Sequence, residues 1–203
     1  MADNTHIVLT PEAQAAMTAR GSIAGYAKKI AAGYPDQITS DLAGFIAELD
    51  TAFLATTSAE GAPYIQHRGG PKGFIKVLND KTLGFADYAG NRQYITISNL
   101  EGNDRAFLFL IDFANRQRIK VWGRARVVEN DPQLMERLVD PGYRARPERA
   151  ILFTVEAWDV NCSQHITERY TQAEVAIAVS GLRDQIAALE AELARVQGKA
   201  GQD

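Results

Sequence analysis

The sequence predicts a mainly β, α+β protein: an antiparallel barrel of about six strands, preceded by helices and followed by one long amphipathic helix. Three observations carry this. Short apolar or alternating segments recur between residues 51 and 160, divided by turn dipeptides such as Glu60-Gly61 and Asn79-Asp80. Little helical periodicity interrupts them. From Thr171 onward the pattern switches to aliphatic residues at spacings of four and three, the signature of a helix.

Residues 1–50 read as a helical segment packing on the barrel. Thr10 is the expected N-cap of a first helix with Pro11 at its first position. Ser40 or Asp41 is the expected cap of a second, which places Leu42, Phe45, Ile46 and Leu49 on one side. Gly21, Gly25 and Gly33-Tyr34-Pro35 break the pattern between them.

Residues 51–170 form the barrel domain. Ala52–Ser58 with Pro63–Arg68, and Ile75–Leu78 with Thr82–Tyr88, read as two hairpins. A short helix is expected over Asn91–Asn99, its N–H groups facing whatever Arg92 binds. Ala106–Phe113 is almost continuously apolar, as a strand buried on both faces is. Arg118–Val128 alternates, with Ile119, Val121, Ala125 and Val127 on one face and Arg118, Lys120, Trp122, Arg124 and Arg126 on the other. Ile151–Val160 closes the set.

Residues 171–203 are a helix and tail. Thr171 and Glu174 have capping-box spacing. Val175, Val179, Leu182, Ile186, Leu189, Leu193 and Val196 then form a heptad seam, with Val179, Ile186 and Leu193 at one core position and the others at the second. This pattern suits a two-stranded coil, and equally an amphipathic helix lying on its own barrel.

Charge and cysteine content exclude several classes. A net charge of −3 is the wrong sign for a general nucleic-acid binder. The one cysteine, Cys162, forms no intrachain disulfide and makes no Cys-type zinc site. Three scattered histidines without ligand spacing argue against a metal. The start MADNTHIVLT lacks the features of a signal peptide, and no apolar run is long enough to cross a bilayer, so a cytoplasmic location away from membranes is expected.

Three segments carry the chemistry: HRGGPKGF (His67–Phe74), ADYAGNRQ (Ala86–Gln93) and NRQRIKVWG (Asn115–Gly123). Each joins an arginine to small or amide-bearing neighbours at a strand end. An arginine fork pairs with phosphate oxygens, and glycines let backbone N–H groups approach closely. His67 precedes Arg68 on a strand and so points to the opposite face, as a packing residue does. No serine nucleophile triad, paired-carboxylate motif or triphosphate-binding loop is present.

In the order of these elements the chain resembles the pyridoxamine 5'-phosphate oxidase-like, FMN-binding split β-barrel family, over roughly Phe45 to Arg169. The resemblance implies a six-stranded antiparallel split barrel and a homodimer with FMN in a groove between subunits. It also implies site residues. The arginine and following backbone that contact phosphate and ring fall on Arg68, Gly69, Gly70 and Pro71. The strand-end pair beneath the flavin falls on Phe85 and Ala86. The basic pair at the phosphate falls on Asn91 and Arg92, an amide replacing one charge. A glutamine near the ring falls on Arg118. The last flavin-contacting segment falls on Trp158–Arg169, with Asn161, Gln164 and His165 as its polar groups.

The chemistry of these residues suits a flavin. A flavin phosphate carries close to two negative charges, which Arg68, Arg92 and a helix N-terminus neutralise. Amides meet the ring edge, and a cation such as Arg118 raises its electron affinity. The segment NCSQHITER lacks the Arg-Leu-His triplet that orients pyridoxal in the true oxidase, so the vitamin B6 activity is not implied. What is implied is an FMN-dependent oxidoreductase acting on a small organic substrate, with no residue evident as general base. The alternative is a flavin- or haem-binding carrier or sensor without turnover; related lineages degrade haem or use a deazaflavin.

Overall fold

The computed structural model describes residues 4–200, apart from the side chains of residues 196 and 198–200. The chain forms two compact units. The first holds the N-terminal helices and the sheet, and the second the Phe113–Arg116 turn with the segment from His165 onward.

The N-terminal segment contains α1 (Thr5–Val8), α2 (Pro11–Ala19), a 3-10 turn (Ile23–Tyr26), α3 (Ala27–Ala32) and α4 (Ser40–Ala47). Helix α2 starts as expected: Thr10 Oγ1 accepts from Ala13 N at 3.2 Å and Pro11 opens the helix. Helix α4 is capped one residue earlier than expected. Thr39 Oγ1 accepts from Leu42 N at 3.3 Å, so Ser40 is already helical. Leu42 and Ile46 carry its buried face into the barrel core. The sequence did not signal the role of Asn4. Its buried amide donates to Tyr34 O and Glu156 O and accepts from Tyr34 N, which fixes the start of the described chain to the sheet.

The sheet contains β1 (Thr51–Thr57), β2 (Pro63–Gly69), β3 (Lys76–Val77), β4 (Thr82–Tyr88), β5 (Arg105–Asp112), β6 (Gln117–Val128) and β7 (Pro147–Asn161). Each strand segment read from the sequence is present, so the sheet has seven strands where a six-stranded barrel was expected; the third is only two residues long. All pairings are antiparallel in the order β2-β1-β5-β6-β7-β4-β3. Helix α5 (Ile95–Gly102) lies between β4 and β5, starting four residues after the expected Asn91, and α6 (Pro132–Leu138) between β6 and β7. Alternation sends Ala52, Leu54, Leu108, Leu110, Val121, Ile151 and Phe153 inward, where they are essentially fully buried. Each large side chain of this set contributes roughly 1.5–3 kcal/mol by leaving water.

One glycine sets the bend of the longest pair. The β6–β7 register shifts between Trp122 and Gly123, and a Cβ on Gly123 would lie 2.0 Å from Thr154 O and 2.6 Å from the Phe153 ring. The close approach of the two strands at this bulge requires a residue without a side chain.

In the second unit α7 (Gln172–Ala200) begins with the expected capping box. Thr171 N donates to Glu174 Oε2 at 2.7 Å, and Glu174 N donates to Thr171 Oγ1 at 3.2 Å. Val175, Val179, Leu182, Ile186, Leu189 and Leu193 are exposed at 38–66%. The last expected seam residue, Val196, has a side chain outside the described set. Among the described residues no helix is long and apolar enough to cross a membrane.

Gly123→Ala is expected to destabilise the protein by about 3 kcal/mol, the cost of overpacking a tight core contact. Gly44→Ala in α4, where a Cβ meets nothing within 4 Å, should instead stabilise it by up to about 1 kcal/mol. Guanidinium unfolding curves of the two variants check both signs.

Candidate functional site

The sheet order leaves β2 at one edge and β4 beside the other edge, with no backbone pairing between them. Side chains close that gap. Arg68 pairs with Ala52 in register, and Ala52 with Leu110, so Arg68 lies on the inner face of the barrel. Its Nη1 donates to Asp87 Oδ1 of β4 at 2.7 Å. Its Nη2 donates to Thr96 Oγ1 of α5 at 2.9 Å and to Gln66 Oε1 at 3.1 Å, while Thr96 Oγ1 donates to the same Gln66 oxygen. One guanidinium thus joins β2, β4 and α5.

The network continues across β4 to β7. Asp87 stands opposite Arg149, whose guanidinium meets Glu148 at 3.1 Å and Glu129 at 3.5 Å and lies 5.2 Å from the centre of the Tyr94 ring. The side chains of Arg68, Asp87, Arg149 and Glu148 are only 11–13% exposed. Burial pushes the Asp87 carboxyl above its ordinary value, while Arg68 and then Arg149 pull it back. Burial likewise lowers the Arg68 guanidinium, with Asp87 opposing. The Nε atoms of both arginines are buried without a hydrogen-bond partner among the described residues.

The turn after β4 presents Arg92. Asn91 Oδ1 accepts from Gln93 N at 3.2 Å, and Asn91 Nδ2 donates to Gln93 Oε1 at 3.1 Å. The Asn91 amide therefore builds an Asx turn. Arg92 and Tyr94 hold left-handed φ values of 59° and 55°, a conformation that costs side-chain-bearing residues of order 1–3 kcal/mol and concentrates at functional sites. Tyr94 leads into α5, whose N-terminus no side chain caps.

Two clefts adjoin along this seam. One, of about 50 Å³, is lined by residues including Gln66, Arg68, Asn91, Arg92, Tyr94 and Thr96. The other, of about 160 Å³, is lined by residues including His67, Gly69, Phe74, Phe85 and Ala86, and shares Gln66, Arg68, Asp87 and Tyr88 with the first. Phe74 and Phe85 pack edge to face, 6.2 Å between centres.

Six expected site residues therefore come together here: Arg68, Gly69, Phe85, Ala86, Asn91 and Arg92. Gly70 and Pro71 do not line either cleft. The Gly70 N–H donates to Asp50 O at 3.1 Å, and Pro71 O accepts from Phe74 N at 2.9 Å. A Cβ on Gly70 would lie 2.7 Å from Phe74 Cβ, so glycine is needed there to seat Phe74. Arg118, Asn161 and Gln164 also lie outside both clefts. Arg118 neighbours the inward Ile119 and so occupies the outer face, beside Asn161 in register. Asn161 Oδ1 is buried without a hydrogen-bond partner among the described residues, and Gln164 N donates to Cys162 Sγ. His165 belongs to the second unit and has φ 63°. His67 packs edge-on against Phe53 at 5.7 Å between ring centres, on the face opposite Arg68.

The residues missed by sequence reasoning are Gln66, Asp87, Thr96 and Arg149. Gln66 carried a signal, since it lies two positions before Arg68 and shares its face. The other three meet Arg68 or Asp87 only after the sheet curls.

A family model described as pyridoxamine 5'-phosphate oxidase matches residues 38–162. The chain belongs to that family. Among solved structures it is similar to HupZ of Group A Streptococcus, with 17% identity and a TM-score of 0.48 over 66% of this chain and 99% of that one. It is also similar to a putative pyridoxamine 5'-phosphate oxidase of Lactobacillus delbrueckii, at 18% identity and TM-score 0.47 over 62% and 95%. An FMN-binding protein of Syntrophomonas wolfei matches at 13% identity and TM-score 0.46 over 58% and 81%. No curated protein matches the chain.

Asp87→Ala should cost about 3 kcal/mol at neutral pH, because it leaves the buried Arg68 charge without its partner. The pH dependence has a definite sign. A carboxyl whose folded pKa is raised keeps its proton longer in the folded chain, so its contribution falls as pH rises from the ordinary value to the raised one. Relative to Asp87→Ala, wild type should lose stability over this range as pH rises, as read from the difference in denaturation midpoints at a series of acidic pH values.

Proposed function

We propose that the chain is an FMN-dependent oxidoreductase acting on a small organic substrate, working as a cytoplasmic homodimer with the flavin between subunits. The observation that carries this reading is the convergence of Arg68, Arg92 and the uncapped N-terminus of α5 on one cleft. The residues suit the group. The exposed Arg92 and the helix N-terminus complement a phosphate dianion, and Arg68, paired with Asp87, borders the same cleft. Beside them, Phe74, Phe85 and Ala86 give an apolar ledge for a planar ring. When bound, the flavin supplies the redox chemistry. Arg92 and α5 would hold the phosphate, Arg68 would orient it from the seam, and the aromatic ledge would keep water from one face of the ring.

The size of the clefts supports the dimer. At about 160 Å³ the ring-side cleft is smaller than the roughly 300–1,000 Å³ of small-molecule sites. One chain thus supplies a wall, and a second copy would supply the other. The outward positions of Arg118 and Asn161 suit residues that serve a neighbouring subunit's cleft.

A carrier or sensor without turnover is the second reading. It is favoured by the state of Asp87, which is bound to Arg68 at 2.7 Å and is not free to relay a proton.

Because Arg92 is exposed and holds no strands together, Arg92→Ala should keep the fold while weakening FMN binding by about 10- to 100-fold, the equivalent of one charge-assisted contact. Riboflavin affinity should stay unchanged. Fluorescence titration of both ligands checks this, and equal losses for the two would remove the phosphate assignment.

Anaerobic mixing of the FMN-loaded protein with NADH or NADPH separates enzyme from carrier. The oxidoreductase reading expects bleaching of the flavin band well above the rate for free FMN. Bleaching at the free rate supports the carrier.

A further inference from the structure

The cofactor clefts make no use of α7. We infer that its seam binds the same helix of a second copy in antiparallel orientation, with Ile186 opposite the partner's Leu189 and Leu182 opposite the partner's Leu193. All six described seam residues are exposed, an apolar stripe that demands cover. The capping box sets where the helix begins, and seven-residue spacing of the seam continues to Leu193.

Charges beside the seam choose orientation and register. Arg183 and Glu190 flank one side, and Gln185 and Glu192 the other. In the antiparallel register given above, Arg183 falls beside the partner's Glu190, and two-fold symmetry makes that pair twice. Gln185 falls beside the partner's Glu192, also twice. Sliding by one heptad in one direction sets Arg183 against the partner's Arg183. Sliding in the other sets Glu190 against the partner's Glu190. A parallel pair places Arg183 beside the partner's Ala178 and Glu190 beside the partner's Gln185, with no ion pair. Only the first of these arrangements pairs opposite charges, and it sets no like charges against each other.

A cleft in the second unit agrees with this choice. It has a volume of about 560 Å³ and is lined by residues including Ala114, Asn115, Val175, Val179 and Leu182. It thus borders the N-terminal half of the seam. An antiparallel partner brings its C-terminal half, with Leu193, to this cleft.

Disulfide trapping of the full-length chain tests the arrangement, in a Cys162→Ser background so that only introduced thiols react. Under mild oxidation Leu182→Cys with Leu193→Cys should give a covalent dimer, while either substitution alone should give none. In the double-cysteine chain Arg183→Glu should lower the dimer yield by about tenfold through two lost ion pairs and two new repulsions. Adding Glu190→Arg should restore it. A dimer from Leu182→Cys alone would establish the parallel pair and overturn the inference. No dimer from the double variant would overturn it, as would a yield that ignores the charge reversal or is not restored by the second one.

Discussion

The barrel is held shut by a buried ion pair. Six strand-to-strand contacts join the sheet from β2 to β3 through backbone ladders, but β2 and β4 meet only through side chains, with Arg68–Asp87 at their centre. The location of the clefts depends on this. A closed ladder between the two strands would fill the seam with paired backbone and leave no room for a ligand. Side chains can bridge the gap and still leave space at either end. Such a pair contributes less net stability than its 2.7 Å geometry suggests, because both charges give up water. Its value lies in specificity: Arg68 can satisfy Asp87, Thr96 and Gln66 together in only one placement of β2.

Left-handed backbone marks the turn beside the clefts, as it also marks Arg116, Asn130 and His165 elsewhere. Arg92 and Tyr94 hold left-handed backbone next to an uncapped helix start. The interior strands, by contrast, show ordinary alternation. The Asn91 amide, through its hydrogen bonds to Gln93, sets the turn that carries the exposed Arg92.

The strands were legible because period-two alternation is local and the turn dipeptides between them are distinctive. The capping box of α7 was legible for the same reason. The cap of α4 was misplaced by one residue because Thr39, Ser40 and Asp41 are all capable caps, and their choice depends on how Leu42 is buried. Part of the cleft lining was visible in its motifs, since Arg68 and Arg92 stand in the arginine-bearing segments HRGGPKGF and ADYAGNRQ. Asp87 and Thr96 were not, because their partnership with Arg68 spans 19 and 28 residues and exists only once the sheet has curled. Arg118 is instructive in another way. Its alternation with Ile119 already placed it on the face away from the core, and the structure keeps it there.

The brevity of β3 has a bearing on how the molecule behaves in a crowded solution. A sheet with open edges offers rows of unpaired amides to any passing strand, and long flat edges are where proteins polymerise. Here one edge ends in a two-residue strand, Lys76–Val77, led by a lysine and followed within a few residues by Asn79-Asp80. An incoming chain would find almost nothing to pair with there. The barrel can therefore keep its seam unladdered without exposing at β3 a template for strand-by-strand growth.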